Sequence, residues 1–143
     1  MHQDTVRLLR ECSEGIEMGL GAIDRILPRV HSPQLRQSLL HCRHRHRSLS
    51  REIGMYLEGA GIRPKKLHPL AAAMARMEIR WKMLVRPSDR TAAGLIRKGC
   101  GMGISSLQRL LEQYPGASEA ARDLTRALIE SETRMEKDCR AFV

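Results

Sequence analysis

The chain has 143 residues and a formal net charge of +9, and 42% of its residues are apolar although only four are aromatic. This length fits a single domain, residues 1–143, that buries its own core. The apolar residues are mainly Leu, Ile, Met and Ala, which favour helices over strands. No stretch approaches the roughly 20 apolar residues of a membrane-spanning helix, and no signal region opens the chain, so we expect a cytoplasmic protein with no membrane association.

Five helical segments follow one another along the sequence, at about 4–29 (α1), 33–58 (α2), 69–85 (α3), 89–113 (α4) and 118–142 (α5). In α1, apolar side chains recur at alternating steps of three and four residues. Ser32, Ser88 and Ser118 are typical N-caps for α2, α4 and α5, and Pro69 opens α3. Glycine and proline end the helical pattern after α2, and proline ends it after α3.

The lengths of the connections predict how the helices are arranged. Short turns join α1 to α2 and α4 to α5, which forces each pair into an antiparallel hairpin, whereas the long segment between α2 and α4 must cross over. No segment has the pattern of a β-strand. We therefore expect an all-α four-helix bundle, with α3 as a short extra helix in the crossover.

The stretch IRKGCGMGISSLQ in α4 places three glycines inside a helical pattern. A phosphate-binding loop needs a strand before it and a transition from glycine to helix, and the sequence shows neither. The stretch instead repeats an earlier one, because GIEMGLGAIDRIL (15–27) aligns with GCGMGISSLQRLL (99–111) at a constant offset of 84 residues. The chain thus looks like two related helical hairpins.

The aligned glycines predict close packing between helices. Gly15 and Gly19 in α1 match Gly99 and Gly103 in α4, and the members of each pair are four residues apart. Such a stripe of small residues lets two helix backbones approach each other closely. Since each glycine costs up to about 1 kcal/mol of helix propensity, packing must compensate, and we expect α1 and α4 to cross at these four positions.

Two helical hairpins joined by a long crossover resemble the ferritin-like superfamily, and in particular its uncharacterised bacterial branch of small four-helix-bundle proteins. Proteins of that branch also carry a short helix with a tryptophan in the crossover, as in LAAAMARMEIRWKML here. They have a Gly-Glu pair early in the third bundle helix, where this chain has Gly99 followed by Cys100. The resemblance covers nearly the whole chain and implies an antiparallel ferritin-like bundle.

Ferritin-like metal sites take one glutamate from each of two helices and a Glu-x-x-His motif from each of the other two. The resemblance implies Glu17 as the α1 ligand, but Cys100 stands where α4 would supply its glutamate. In α2 the histidine of the motif is His46, and Arg43 replaces its glutamate. In α5 the motif is lost, and Glu132 stands at its last position. The di-metal ligand set is thus largely lost, and a residual cluster of Glu17, His46, Cys100 and Glu132 remains.

His46 lies 14 residues after Ser32, and Glu132 lies 14 residues after Ser118, so at about 1.5 Å per residue both reach a similar depth in the bundle. Either the two side chains form a buried polar pair in an inert core, or the residual cluster binds a single transition-metal ion. We favour the first interpretation, which predicts no cofactor, no catalytic residue and direct contact between His46 and Glu132.

The densest basic stretch is HCRHRHRSLSR in α2, and Arg36, Arg43, Arg47 and Arg51 form a candidate basic surface. Such a patch suits nucleic acid or an acidic partner, because it can neutralise phosphates or carboxylates. A solvated helix face explains the patch more simply. The scarcity of aromatic side chains, which would stack on bases, favours the simpler explanation.

The four cysteines are spread over the four long helices, and no two of them form a CxxC pair: Cys12, Cys42, Cys100 and Cys139. In a cytoplasmic chain we expect free thiols that pack as small apolar core residues. Cys139, near the end of α5, is expected to lie too far from the other three to join them.

Three functions follow as hypotheses. The leading one is a non-catalytic helical bundle with a structural or partner-binding role, its partner being another copy of the chain or an acidic molecule. The second is a metal-binding or redox protein that uses the residual cluster. The third is a basic protein that binds nucleic acid or an acidic partner through α2.

Overall fold

The computed structural model describes residues 2–143 and has five α-helices, Gln3–Ile26 (α1), Pro33–Gly59 (α2), Pro69–Val85 (α3), Asp89–Gln113 (α4) and Glu119–Arg140 (α5). No residue in this range lies in a β-strand, so the all-α prediction is confirmed. Helix α1 ends before the expected bound because Pro28 lacks an N–H, and a 3-10 turn over Leu27–Arg29 follows it. Helix α5 ends at Arg140, slightly before the expected bound.

Three of the long helices begin at a serine. The side-chain oxygens of Ser32, Ser88 and Ser118 each accept a hydrogen bond from the backbone N–H three residues ahead, at 3.2, 3.1 and 3.2 Å. His68 opens α3 in a related way, because its Nδ1 accepts a hydrogen bond from the N–H of Leu70. These bonds satisfy N–H groups that have no partner within the first turn, which fixes where the helices begin.

The four long helices form a ring in which α1 packs on α2 and α4, and α5 packs on the same two helices. At one end of the ring, the Asp89 carboxylate accepts hydrogen bonds from the N–H groups of His31 and Ser32, at 2.8 and 2.7 Å. At the other end, the N–H of Ser118 donates to the hydroxyl of Thr5. Helices α1 and α4 therefore run in opposite directions. The short α3 lies outside the ring, on α1 and α4.

The core consists of two apolar clusters, one at each end of the bundle. The first contains Ile26, Leu39 and Met135, and it also takes in Met83 from α3. The second is built around side chains such as Leu8. Between the two clusters lies a level at which several buried residues are polar, and this level holds the candidate site. Within residues 2–143, no helix combines the length and the apolar character that crossing a membrane requires.

Candidate functional site: a buried His46–Glu132 pair

The middle level of the bundle contains a buried imidazole and a buried carboxylate. His46 of α2 is 1% exposed and Glu132 of α5 is 8% exposed. The Nε2 atom of His46 lies 3.5 Å from Oε1 of Glu132. The structure thus brings together the two residues that counting from the helix caps places at equal depth.

The other ring nitrogen of His46 faces hydrogen-bond acceptors. Its Nδ1 lies 3.0 Å from the backbone carbonyl oxygen of Cys42, one turn earlier in α2, and 3.4 Å from the hydroxyl of Ser131. The thiol of Cys42 lies 3.6 Å from the same nitrogen. An imidazolium donates from both nitrogens, so a carbonyl on one side and a carboxylate on the other satisfy its charged form.

Electrostatics favour this charged form. Burial by itself lowers the pKa of His46, but its contacts with the Cys42 side chain and the Glu132 carboxylate outweigh burial and raise the pKa to about 9. These contacts thus favour an imidazolium that faces the Glu132 carboxylate. Such a pair is strongly coupled, since removing either partner leaves the other buried without its counterpart.

Two glycines make room for this pair. A Cβ atom on Gly103 of α4 would collide with the carboxylate of Glu132, coming within contact of Oε2 and 2.9 Å from Cδ. A Cβ atom on Gly19 of α1 would lie 3.3 Å from Cδ2 and from Nε2 of the His46 ring. All four long helices thus build the site, because α2 and α5 supply the polar side chains and α1 and α4 supply the space.

The other two predicted packing glycines have a different environment. Gly15 and Gly99 are exposed, and a Cβ atom on either would meet nothing within 4 Å. The prediction that α1 and α4 cross on four glycines is therefore wrong for this pair. At the remaining two positions the space is filled by side chains from α2 and α5 rather than by an approaching backbone.

Glu17, the predicted α1 ligand, does not reach the site. It is exposed, and its Oε2 accepts a hydrogen bond of 3.1 Å from the N–H of Leu67 in the crossover. Ile16, Gly19 and Ile23 face inward on α1 at helical spacing, and a step of one residue turns the side chain by about 100°. Glu17 thus holds the crossover against α1 instead of joining the residual cluster.

Cys100 is buried beside the site, in the same apolar cluster as Cys42 and Cys139. The prediction that Cys139 lies far from the other thiols is wrong, because α5 runs back along α4 and brings its end to the level where α4 begins. Burial, followed by the charge of the Glu132 carboxylate, raises the pKa of Cys100, so its thiol stays protonated. Cys12 lies apart from these three cysteines, in the second apolar cluster, where its sulfur is 3.3 Å from the hydroxyl of Thr125.

The residues at this level do not form a preorganised metal site. Among residues 2–143, no three His, Cys, Asp or Glu side chains are arranged to hold an ion. One feature favours ion binding at this level: Oε2 of Glu132 is buried and has no hydrogen-bond partner in the described structure. A carboxylate oxygen of this kind can accept a cation or a proton.

The predicted basic surface is only partly available. Arg43 forms an ion pair of 3.2 Å with Asp24, and the guanidinium of Arg36 donates to the backbone carbonyl of Val30. Arg47 and Arg51 are exposed and form no ion pair with any residue that the structure describes. One of the four arginines is thus held in an ion pair, one donates to a backbone carbonyl, and two have neither contact among the described residues.

Sequence reasoning missed a second apolar face on α3, which we name the α3 ridge. It consists of six large apolar side chains that are all exposed: Leu70, Met74, Met77, Trp81, Leu84 and Val85. The signal was present in the sequence, because these residues recur at steps of three and four over the length of the helix, with Val85 beside the last of them. Met83 of α3 instead faces the bundle and packs in its core.

Comparison with known proteins concerns the fold. A crystal structure described as a DUF305 fragment from Deinococcus radiodurans is similar to this chain, with a TM-score of 0.76 over 98% of this chain and 95% of the other. The two sequences are 14% identical, so the likeness shows the fold alone. No family profile and no curated protein matches the sequence.

Proposed function

We propose that this protein is a non-catalytic helical bundle, built on a degenerate ferritin-like scaffold of two related hairpins, with a structural or partner-binding role. The observation that carries the proposal is the closed His46–Glu132 pair. It occupies the middle of the bundle, where the ferritin-like resemblance implies a metal centre. The alignment of Gly19 with Gly103 supports the repeat, since both glycines make room for this pair.

The chemistry of the pair favours a structural role. A protonated imidazole has no free lone pair, so His46 cannot ligate a metal or accept a proton from a substrate while the pair is intact. Its 1% exposure also leaves no surface through which a substrate could reach the ring. Removing one partner of a buried ion pair is costly, because the other partner is left without a counter-charge.

A double-mutant cycle tests the structural role. We expect His46→Leu and Glu132→Leu each to lower the free energy of unfolding by about 3 kcal/mol, because each leaves a buried partner uncompensated. The double variant should recover a large part of this loss, and urea titration followed by circular dichroism measures all four states. Two independent, additive losses would contradict the proposal.

A residual site for a single transition-metal ion is the second candidate. The unpartnered Oε2 of Glu132, close to the Cys100 thiol, is the observation that favours it. Such an ion would have to displace the proton of His46 and ionise a thiol, so it would be a soft cation. Elemental analysis of protein prepared without an affinity tag decides between the candidates. One equivalent of metal that is lost in Glu132→Gln would replace the structural proposal.

A further inference from the structure

We propose that the α3 ridge is a docking surface for an anionic lipid bilayer, on which α3 lies parallel to the membrane plane. The inference names a partner class for the partner-binding role, but it rests on surface residues alone. It stands whether or not the core binds an ion. It also revises the expectation of no membrane association, because a helix that lies on a bilayer does not need the length or the hydropathy of one that crosses it.

The ridge is a continuous apolar surface without a partner in the described structure. Trp81 is 66% exposed and Met77 is 70% exposed, and the other four members are exposed as well. At about 100° per residue, the six side chains occupy one stripe on the side of α3 opposite Met83, which packs in the core. The stripe therefore points directly away from the bundle. Six such side chains in one stripe exceed the scattered apolar residues that are normal on a surface.

The residues around the ridge are mostly basic, and this indicates the charge of the molecule that binds there. Residues 63–90, which include α3, contain eight Lys and Arg and only two acidic residues. Arg80 is exposed along one border of the stripe, and Arg76 is exposed one turn earlier on the same flank of α3, farther from the stripe. On the other border, the one acidic residue of α3, Glu78, is already paired with Lys82 and Lys98, at 3.0 and 2.8 Å. The charge around the ridge therefore favours an anionic occupant.

The shape of the ridge favours a bilayer over a folded protein. A single helix of 17 residues that projects from the bundle is convex and about 25 Å long, and it offers no groove. Stable protein interfaces bury roughly 1,200 Å² or more, so a protein partner would itself have to supply a groove that encloses α3. In an antiparallel isologous pair of copies, the border that carries Arg80 would meet the same border of the other copy, so like charges oppose this arrangement. Lipid acyl chains adapt to a convex apolar ridge, and anionic headgroups can surround the flanking arginines.

The amino-acid composition of the ridge is typical of a helix that lies at a membrane surface. Tryptophan is enriched at the boundary between headgroups and acyl chains, where its ring is partly apolar and its N–H stays hydrated. The long stems of arginines can lie along apolar surface while their charged ends reach phosphates. Trp81 and its neighbouring arginines thus provide the two attractions that peripheral helices combine, apolar burial and charge.

Trp81 is the only tryptophan in the chain, so its fluorescence reports the ridge directly. The assay adds vesicles of phosphatidylcholine alone, or of phosphatidylcholine with phosphatidylglycerol, to the full chain. We expect a shift of the emission to shorter wavelength and co-sedimentation with the anionic vesicles only. Both signals should weaken as salt rises, because screening reduces the attraction between the arginines and the headgroups.

Matched variants separate the ridge from the rest of the surface. Met77→Gln removes an apolar ridge side chain, and Met102→Gln removes one that is 66% exposed on α4. We expect the first to weaken vesicle binding at least tenfold and the second to leave it unchanged. Circular dichroism checks that both variants keep the helical fold, since neither residue belongs to the core.

A second comparison tests the charge. Arg76→Ser with Arg80→Ser should weaken binding about thirtyfold, because a basic residue near an anionic bilayer contributes about 1 kcal/mol. Arg47→Ser with Arg51→Ser removes the same charge from α2 and should change binding little. Equal losses in the two double variants would show attraction by net charge and overturn the docking surface.

The remaining outcomes are equally decisive. Absence of binding to phosphatidylglycerol vesicles at low salt overturns the proposal. So does a Trp81 emission shift that needs no lipid and grows with protein concentration, which would make a second copy the occupant. Neither result affects the double-mutant cycle at His46 and Glu132, so failure of this inference and failure of the proposed function remain distinguishable.

Discussion

Replacing Gly103 by alanine should destabilise the protein, although the same substitution at most helix interiors is stabilising. Alanine gains about 1 kcal/mol over glycine in an exposed helix interior because glycine is the more flexible residue. At Gly103 the new methyl group would collide with the carboxylate of Glu132. The carboxylate is the end of a flexible side chain, so it can rotate away, but it then leaves His46.

The cost of that displacement sets the magnitude. Breaking a buried ion pair costs about 3–5 kcal/mol, and the lower end applies because Glu132 retains 8% exposure and can turn towards water. Subtracting the gain in helix propensity leaves a net loss of about 2 kcal/mol. For a chain of this length, that loss corresponds to a fall in Tm of roughly 6 °C.

Urea titration monitored by circular dichroism measures the effect, with Gly99→Ala as the matched control. Gly99 lies one turn earlier in α4 and is exposed, so its substitution should stabilise by up to about 1 kcal/mol. In a Glu132→Ala background, Gly103→Ala should also become neutral or stabilising, because nothing then occupies the space. If Gly103→Ala stabilises the wild-type chain as much as Gly99→Ala does, the account of this glycine is wrong.

The remaining predictions concern pH, thiols and a helix end. Since the folded pKa of His46 is about 9 and its ordinary value is 6.5, its stabilising contribution is complete below pH 6.5 and is lost as pH rises to about 9. The free energy of unfolding should therefore fall more steeply over this range in the wild type than in Glu132→Gln, which keeps the contact between His46 and Cys42 but loses the carboxylate. Urea titration at several pH values measures both curves, and parallel curves would contradict the contribution of Glu132. The four buried cysteines should resist a thiol reagent at pH 8 and react fully in urea, because burial blocks access and raises the pKa of Cys100. Asp89→Ala should cost about 1 kcal/mol by removing the acceptor of two partly solvated backbone N–H groups just before α2, whereas the exposed Asp123→Ala should cost little.

The fold was open to prediction because the signals that define it are local. A serine such as Ser32 or Ser118 caps the helix that follows it, and the apolar spacing of that helix does not depend on distant residues. The depth of His46 and Glu132 could be counted because a helix rises by a constant amount per residue. Their contact also required that α2 and α5 be neighbours, which the hairpin connections left open.

The composition of the site was less accessible, since it depends on how far each helix is rotated. Glu17 and Gly19 point in directions that differ by about 200° around α1. A sequence readily suggests a polar residue at an expected ligand position, but it does not indicate that a glycine two residues later faces the site instead. A glycine does not reveal whether its space will hold a backbone or a side chain from another helix. For Gly19 and Gly103 the answer comes from α2 and α5, which are distant in sequence. Cys139 lies near the end of α5, which the antiparallel hairpin returns to the beginning of α4, and this brings its thiol into the cluster of Cys42 and Cys100.

The way α3 is attached has a consequence for limited proteolysis. Met83 is the one residue of α3 that the core buries fully, whereas each long helix contributes at least five buried residues. Detaching α3 therefore exposes little apolar surface and costs much less than unfolding the bundle. Trypsin should cut first at an arginine of this helix, such as Arg80, and the two resulting fragments should remain associated as a nicked bundle. Each fragment keeps two of the four long helices, and the core clusters that join them contain residues from both fragments.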